Sequence, residues 1–546
     1  MSHHGPTNPT VALSYSETAS LLQHAKSNRG YTHGSTSDGT LVECASATNE
    51  TTSRRRLGLL SAVSLIFNRI IGTSVFAAPS IVLKSSGSIG LSFVMWIIGA
   101  SVSAAGTAVY IEFGTGLPRN GGEKTYLEYI YRRPQFFITC LYAAYAVLLG
   151  QISSASVAFG EYALHAIGFP LTATNARVVA WLVISLCFII HGIFPRFGVK
   201  LQNTLGVFKL GILLLISVSG FFCMFGIPGF LVDKQYDQPH NFKWATFWEG
   251  SNVNASAFVN GIYIVIWSFV GYSNANYALS EVRDPVRTIK RAAPIALLLV
   301  TSVYIFVNIA YYAVVSKTDI LNSGTIVAAL FFRNLFGSAT EQFLSAVIAL
   351  SIFGNILAVS FAQGRVNQEL GREGVLPYSR LLASNEPFDA PFFGLLIHYS
   401  VSTLTVLLAP PGDAYNFIVN YLAYPCSIIN LLVSGGLLLL HSRPYKPYNW
   451  DPPYRVPTCL AIFFFLSNVF LLVVPLIPPS AGYEPYEHLP YYSHIVMALS
   501  IGLVGVIYWL ICFDWMPRIK GYRLVQEVVL DNNGPSYKVF RRIPIQ

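Results

Sequence analysis

Charge is what this sequence has least of: Asp, Glu, Lys and Arg together make up 11% of its residues, against roughly one quarter in a soluble globular chain. So small a charged fraction excludes an ordinary water-soluble fold. Cysteine is sparse too. The seven present (Cys44, Cys140, Cys187, Cys223, Cys426, Cys459 and Cys512) fall in the N-terminal stretch or within and beside apolar runs, a placement that gives no disulfide framework. The chain has no phosphate-binding glycine loop and no metal-ligand spacing, so no enzyme activity, metal or cofactor is expected. Basic residues exceed acidic ones, for a formal charge of +9. In so apolar a chain that excess reports orientation in a bilayer rather than nucleic-acid binding.

What is there is hydrophobic: 53% of the residues. A run of about 20 apolar residues crosses the hydrocarbon of a bilayer. Segments of about that length begin at Leu57, Leu91, Phe136, Ala176, Thr204, Ser256, Ala292, Glu341, Phe392, Tyr415, Thr458 and Ser493. The expectation is an all-α integral membrane protein of twelve transmembrane helices, with one transport domain over residues 57–515. Residues 1–56 are expected to form a disordered cytoplasmic tail and 516–546 a cytoplasmic C-terminal tail. The N-terminal stretch is rich in Ser, Thr, Gly and Asn and buries too little to offset ordering entropy. With the first span this far along, no cleavable signal is expected. Lys26 reads as a solvated lysine, and the glycosylation sequons at Asn49 and Asn254 are weak signals.

Loops alternate in charge. One set holds only Lys84, Arg177, Lys234, Lys243, Lys317 and Arg333, whereas the other runs from Arg54, Arg55 and Arg56 through Arg283, Arg287, Lys290 and Arg291 to Arg518, Lys520 and Arg523. By the positive-inside rule the second set is cytoplasmic, and so are both termini.

Two spans are interrupted. Span one carries Ile70-Ile71-Gly72-Thr73-Ser74-Val75-Phe76 at its midpoint, followed by Pro79; span six carries Trp267-Ser268-Phe269-Val270-Gly271-Tyr272-Ser273-Asn274. Irregular backbone at that depth must line a protein cavity, because lipid offers it no partner. Breaks at corresponding positions of two five-helix sets point to an inverted-repeat transporter with its site at the midplane. Half-helix N-termini offer free amides and a positive dipole end to a carboxylate, while carbonyls freed before each break suit an ammonium. An α-amino acid carries both groups. Ile71, Gly72, Thr73, Ser74, Ser268, Phe269 and Gly271 are therefore the candidate substrate-binding residues.

These breaks, with YIEFGTGLPRNGGEKTYLEY (Tyr110–Tyr129), EVRDPVRTIKRAAP (Glu281–Pro294) and GRVNQELGREGVLP (Gly364–Pro377), resemble the amino acid/polyamine/organocation superfamily, and within it the L-type-related fungal permeases. The likeness covers roughly residues 57–515, with Ser74 standing where the family's first break usually has glycine. It implies a 5+5 inverted repeat with broken helices one and six and two extra C-terminal helices. It also implies proton-coupled uptake of a neutral amino acid, methionine by preference, at the plasma membrane. Lys209 in span five matches a lysine that many sodium-independent members carry behind the first break, as a cation surrogate. Trp267 matches the gating aromatic before the second.

Ionisable groups within spans each need a reason, since one at the bilayer centre costs about 2.5–3.5 kcal/mol on insertion scales. Arg69 and Glu112 are candidates for an inner gate, although a structural pair or separate snorkelling is the plainer reading. Glu161 is read as interfacially solvated, with proton acceptance as the alternative. His191 and His398 read as packing residues. Asn355 and Tyr145 are candidates for the side-chain pocket, with helix-to-helix hydrogen bonding explaining them equally well. Animal L-type exchangers join a single-span glycoprotein through a cysteine between spans three and four. The loop from Gly168 to Asn175 has none, so no disulfide-linked partner is expected. A transport-inactive receptor is the remaining alternative, which the two breaks disfavour.

Overall fold

The computed structural model describes residues 58–544, apart from 119–120, 253, 411, 443–449, 480–483 and 530–536. The N-terminal stretch expected to be a tail, with Lys26, Asn49 and Cys44, lies outside the described residues. Within them the chain is helical, with one two-stranded sheet near its C-terminal end. Nine of the described helices are long and apolar enough to cross a bilayer, and the bent pair Leu59–Ile70 and Ser74–Ser86 makes a tenth span. The segments expected at Ser256 and Phe392 form shorter helices, Ala255–Ser268 of 14 residues and Phe392–Leu408 of 17. The former is short because its α-helix stops at the break; the latter reaches roughly 25 Å at about 1.5 Å per residue, just under the hydrocarbon thickness.

Local chemistry sets the helix ends. Pro195 and Pro285 open the span-five and span-seven helices, Pro195–Met224 and Pro285–Val314, at the position where a missing amide costs nothing. Ser88 and Thr172 cap theirs, accepting the amides of Leu91 (3.3 Å) and Asn175 (3.2 Å), as short hydroxyl side chains do at orphan N–H groups.

Packing then brings particular side chains to the first break. Lipid supplies no hydrophobic force between helices, so close approach relies on small residues. A Cβ at Gly220 would stand 2.2 Å from the Ala310 Cβ, so the span-five and span-seven helices meet nearly backbone to backbone. The span-seven helix also packs on Leu59–Ile70, and the span-five helix on the span-eight helix Ser338–Arg372. Lys209 and Tyr304 are delivered to the break by this arrangement. On the other side of the break, Ser74–Ser86 packs on Ala255–Ser268, so the second half of span one and the first half of span six lie side by side.

The sequence reading gave no structure to 516–546, yet strands β1 (Tyr522–Val529) and β2 (Tyr537–Pro544) form an antiparallel hairpin with Tyr522 opposite Pro544 and Val529 opposite Tyr537. It sits on the exit of span eight. Gln526 donates to the Glu373 carbonyl at 2.9 Å, Lys538 pairs with the Glu373 carboxylate at 3.1 Å, and Phe540 meets Phe136 and Phe513 at 5.0 and 5.3 Å between ring centres.

Candidate substrate site at the broken helices

Span one bends by 49° between Ile70 and Ser74. Ile71 turns to an extended conformation (φ −69°, ψ 96°), which ends the helix and frees carbonyls from the i→i+4 ladder. Lys209 Nζ donates to one of them, the Ile71 carbonyl, and its side chain is 3% exposed. The ammonium thus reaches inward to the break rather than outward to the headgroups. Beyond the break, Ser74 and Val75 begin a new helix, so their amides have no intrahelical acceptor. Gly72 faces span eight, where a Cβ would stand 2.9 Å from Asn355 Nδ2; that amide also lies 3.5 Å from Thr73 Oγ1.

In span six the α-helix ends at Ser268, and a 3-10 helix resumes at Asn274–Glu281. Gly271 between them has φ 122°, a conformation a Cβ would strain. The residues named from the sequence contribute mainly backbone here. The Ser268 hydroxyl is spent on the Ile264 carbonyl at 2.7 Å. The Phe269 ring is fully buried, 5.3 Å from the Tyr304 ring and 6.4 Å from that of Trp96. Trp267 is half-buried at the end of the helix.

Tyr304 is a residue the sequence did not single out. Its hydroxyl donates to the Ser268 carbonyl at 2.8 Å and stands 3.4 Å from the Ile70 carbonyl, so one side chain of span seven touches both breaks. The only sequence signal was a hydroxyl within an apolar run.

Toward the face opposite the N-terminal entry of span one, the segment joining helices Lys317–Asn322 and Val327–Phe336 closes over the second half of span one. Ser80 donates to the Gly324 carbonyl, Thr325 to the Glu161 carboxylate, and Tyr162 to the Thr325 carbonyl at 3.0 Å. Glu161 is therefore tied to this loop rather than solvated at an interface. Tyr415 of span ten lies beside the Ser74 side chain, adding a fourth element to the same wall.

Arg69 and Glu112 do not pair. Glu112 is fully buried and holds three donors: His441 Nε2 and Trp450 Nε1 at 2.7 and 2.8 Å on one oxygen, and the Val456 amide at 2.7 Å on the other. It anchors the connection between spans ten and eleven. Arg69 instead runs beside Gly271, where an added Cβ would meet its Cγ at 2.6 Å. His191 and His398 are 1% exposed and packed within the bundle. Tyr145 turns away from the breaks, with its hydroxyl beside Gly502 of span twelve. On the N-terminal-entry face, the helix Glu123–Ile130 reaches the second half of span six: Glu123 accepts from Ser273 at 3.1 Å and from Tyr277. Burial pushes this carboxyl above the usual carboxylate range, against the opposing pull of hydrogen bonds from its own backbone, Ser273 and Tyr110.

The Amino acid permease family model matches residues 57–501. The chain is 44% identical over 482 residues to the high-affinity methionine permease of Saccharomyces cerevisiae, covering 88% of this chain and 83% of that protein. It is 29% identical over 489 residues to the low-affinity methionine permease of the same yeast, covering 88% and 86%. It is 30% identical over 434 residues to the mouse Asc-type amino acid transporter 1, covering 78% and 77%. Backbone broken in two spans, donors converging on the freed carbonyls and a family match running from the first span into the last carry one conclusion: this chain belongs to the amino acid permease family.

Proposed function

We propose that this permease takes up methionine, or a closely related neutral amino acid, across the plasma membrane by proton-coupled alternating access. In this reading its twelve spans form two inverted five-helix repeats plus two C-terminal helices, and both termini are cytoplasmic. The single observation that carries the substrate class is the paired interruption: orphan amides at Ser74 and Val75 face a carboxylate, and carbonyls at Ile70, Ile71 and Ser268 face an ammonium. The preference for methionine leans on the 44% identical relative.

Lys209 supports sodium independence, because a fixed ammonium on the Ile71 carbonyl occupies the place a bound cation would take and repels a second one. Trp267, half-buried at the break, is the aromatic gate above the substrate. The loop at Gly324 and Thr325 is the outer closure, and one helix bundle rocks against the other beneath it.

Competitive uptake of labelled methionine in a transport-deficient cell tests the reading. Methionine analogues lacking the α-carboxylate or the α-ammonium should compete poorly, while neutral amino acids differing only in side chain should compete in graded order. Strong competition by the decarboxylated analogue would exclude this site.

A further inference from the structure

We propose that Tyr304 is a positioning residue that clasps the two helix breaks in the empty carrier, its hydroxyl serving the carbonyls that the substrate ammonium serves in the loaded one. The inference rests on the reading that the ammonium binds those freed carbonyls.

Ile70 and Ser268 each end an α-helix, so their carbonyls are among the last of the helix and lack intrahelical donors. A phenol carries one proton. At 2.8 Å the Ser268 carbonyl holds it, and at 3.4 Å the Ile70 carbonyl lies at the edge of bonding range. The ring itself is not free to move: it is 0% exposed, stacked on Trp96 at 4.9 Å and held against Phe269 at 5.3 Å. What can turn is the O–H bond, from one break to the other. With Lys209 committed to Ile71, two protein donors serve the Ile70, Ile71 and Ser268 carbonyls. A substrate ammonium brings three more N–H donors and makes up that deficit.

The empty and loaded carriers should thus depend on Tyr304 unequally. Net uptake requires the empty carrier to return, whereas exchange moves it loaded in both directions. In proteoliposomes, Tyr304→Phe keeps the stacked ring and should lower net uptake of labelled methionine about tenfold, the worth of about 1.4 kcal/mol or one buried hydrogen bond. Exchange against internal methionine should fall less than about threefold. The thermal midpoint of the purified variant should drop without methionine and recover with it, giving a larger methionine-induced shift than in the parent. Trp96→Phe, which loosens the stack and spares the hydroxyl, should depress both transport modes alike. Equal loss in both modes for Tyr304→Phe, or no loss in either, would overturn the clasp. If the parent binds the deaminated analogue of methionine as tightly as methionine itself, the site reading fails and the clasp with it.

Discussion

A lysine buried beside a bent helix costs several kcal/mol unless something answers its charge, and at Lys209 the answer is the Ile71 carbonyl. Lys209→Met keeps much of the apolar stem and deletes the charge. At equal surface expression it should reduce uptake by at least about tenfold, the effect of losing a charge-assisted hydrogen bond of about 1.5–3 kcal/mol, while removing external sodium should leave the parent unaffected. Normal proton-driven uptake by the variant would reduce Lys209 to an anchor. Gly72 presents a steric case instead. Its missing Cβ leaves room for the Asn355 amide, which would otherwise lie 2.9 Å away, so Gly72→Ala should cost about 1–3 kcal/mol of stability. Pairing it with Asn355→Ala should recover much of that loss, since neighbours in contact couple; strictly additive thermal shifts would show that the clash is not what Gly72 avoids. Lys209 and Gly72 were legible in the sequence because a charge within an apolar run demands a partner, and a glycine beside small hydroxyl residues marks an interruption. Tyr304 was not, because a tyrosine within an apolar helix looks the same whether its hydroxyl packs or bridges.

Among elements, the sequence carried periodicity and interruption but not register. Both breaks fall where glycine and small hydroxyl residues interrupt apolar runs, since only there can backbone leave the helix at an affordable cost. Glu112 illustrates what could not be read. Its neighbours His441, Trp450 and Val456 lie more than three hundred positions away, and no pattern within span two says which helix it faces. The C-terminal hairpin was hidden for a related reason: two short, partly basic strands resemble a solvated tail until their partner surface is known. That surface is ionic. Glu373 bridges Lys124 of the Glu123–Ile130 helix and Lys538 of β2, both at 3.1 Å. Burial raises its carboxyl, but the two ammonium groups outweigh burial and hold it below the usual carboxylate range. A depressed folded value means that the attachment is complete above the ordinary carboxylate pKa and is lost as pH falls through the lowered one. The hairpin should therefore stay docked from pH 8 down to about 5 and loosen only in stronger acid. The bridges are partly exposed, worth about 1 kcal/mol or less each, so Glu373→Gln at neutral pH should speed amide hydrogen exchange in β1 and β2 several-fold without unfolding the bundle. Unchanged exchange would assign the docking to Phe540 and its ring neighbours alone.

At the scale of the whole molecule, the proposed orientation rests on charge. The connections sharing a face with the start of span one carry Arg132, Arg133, Arg283, Arg287, Lys290 and Arg291, and those of the other face carry few cations. Basic residues near span ends resist translocation, and the imbalance here is spread over several short loops rather than one. The side chains that would report the topology are accessible: Trp244, in the connection between spans five and six, is 80% exposed, and Tyr378, after span eight, is 81% exposed. A cysteine placed at each by Trp244→Cys and Tyr378→Cys gives a direct readout against the parent's own labelling. A membrane-impermeant maleimide added to intact cells should label the first and leave the second until the cells are permeabilised. The orientation also fixes the direction of coupling. If the first label places Trp244 outside, the loop at Gly324 and Thr325 would close the site from the external side, and in the proposed proton-coupled cycle protons descending an inward gradient would enter by the same route as the amino acid. The reverse labelling pattern would place the basic face outside, and the proposed uptake would have to be rewritten as export.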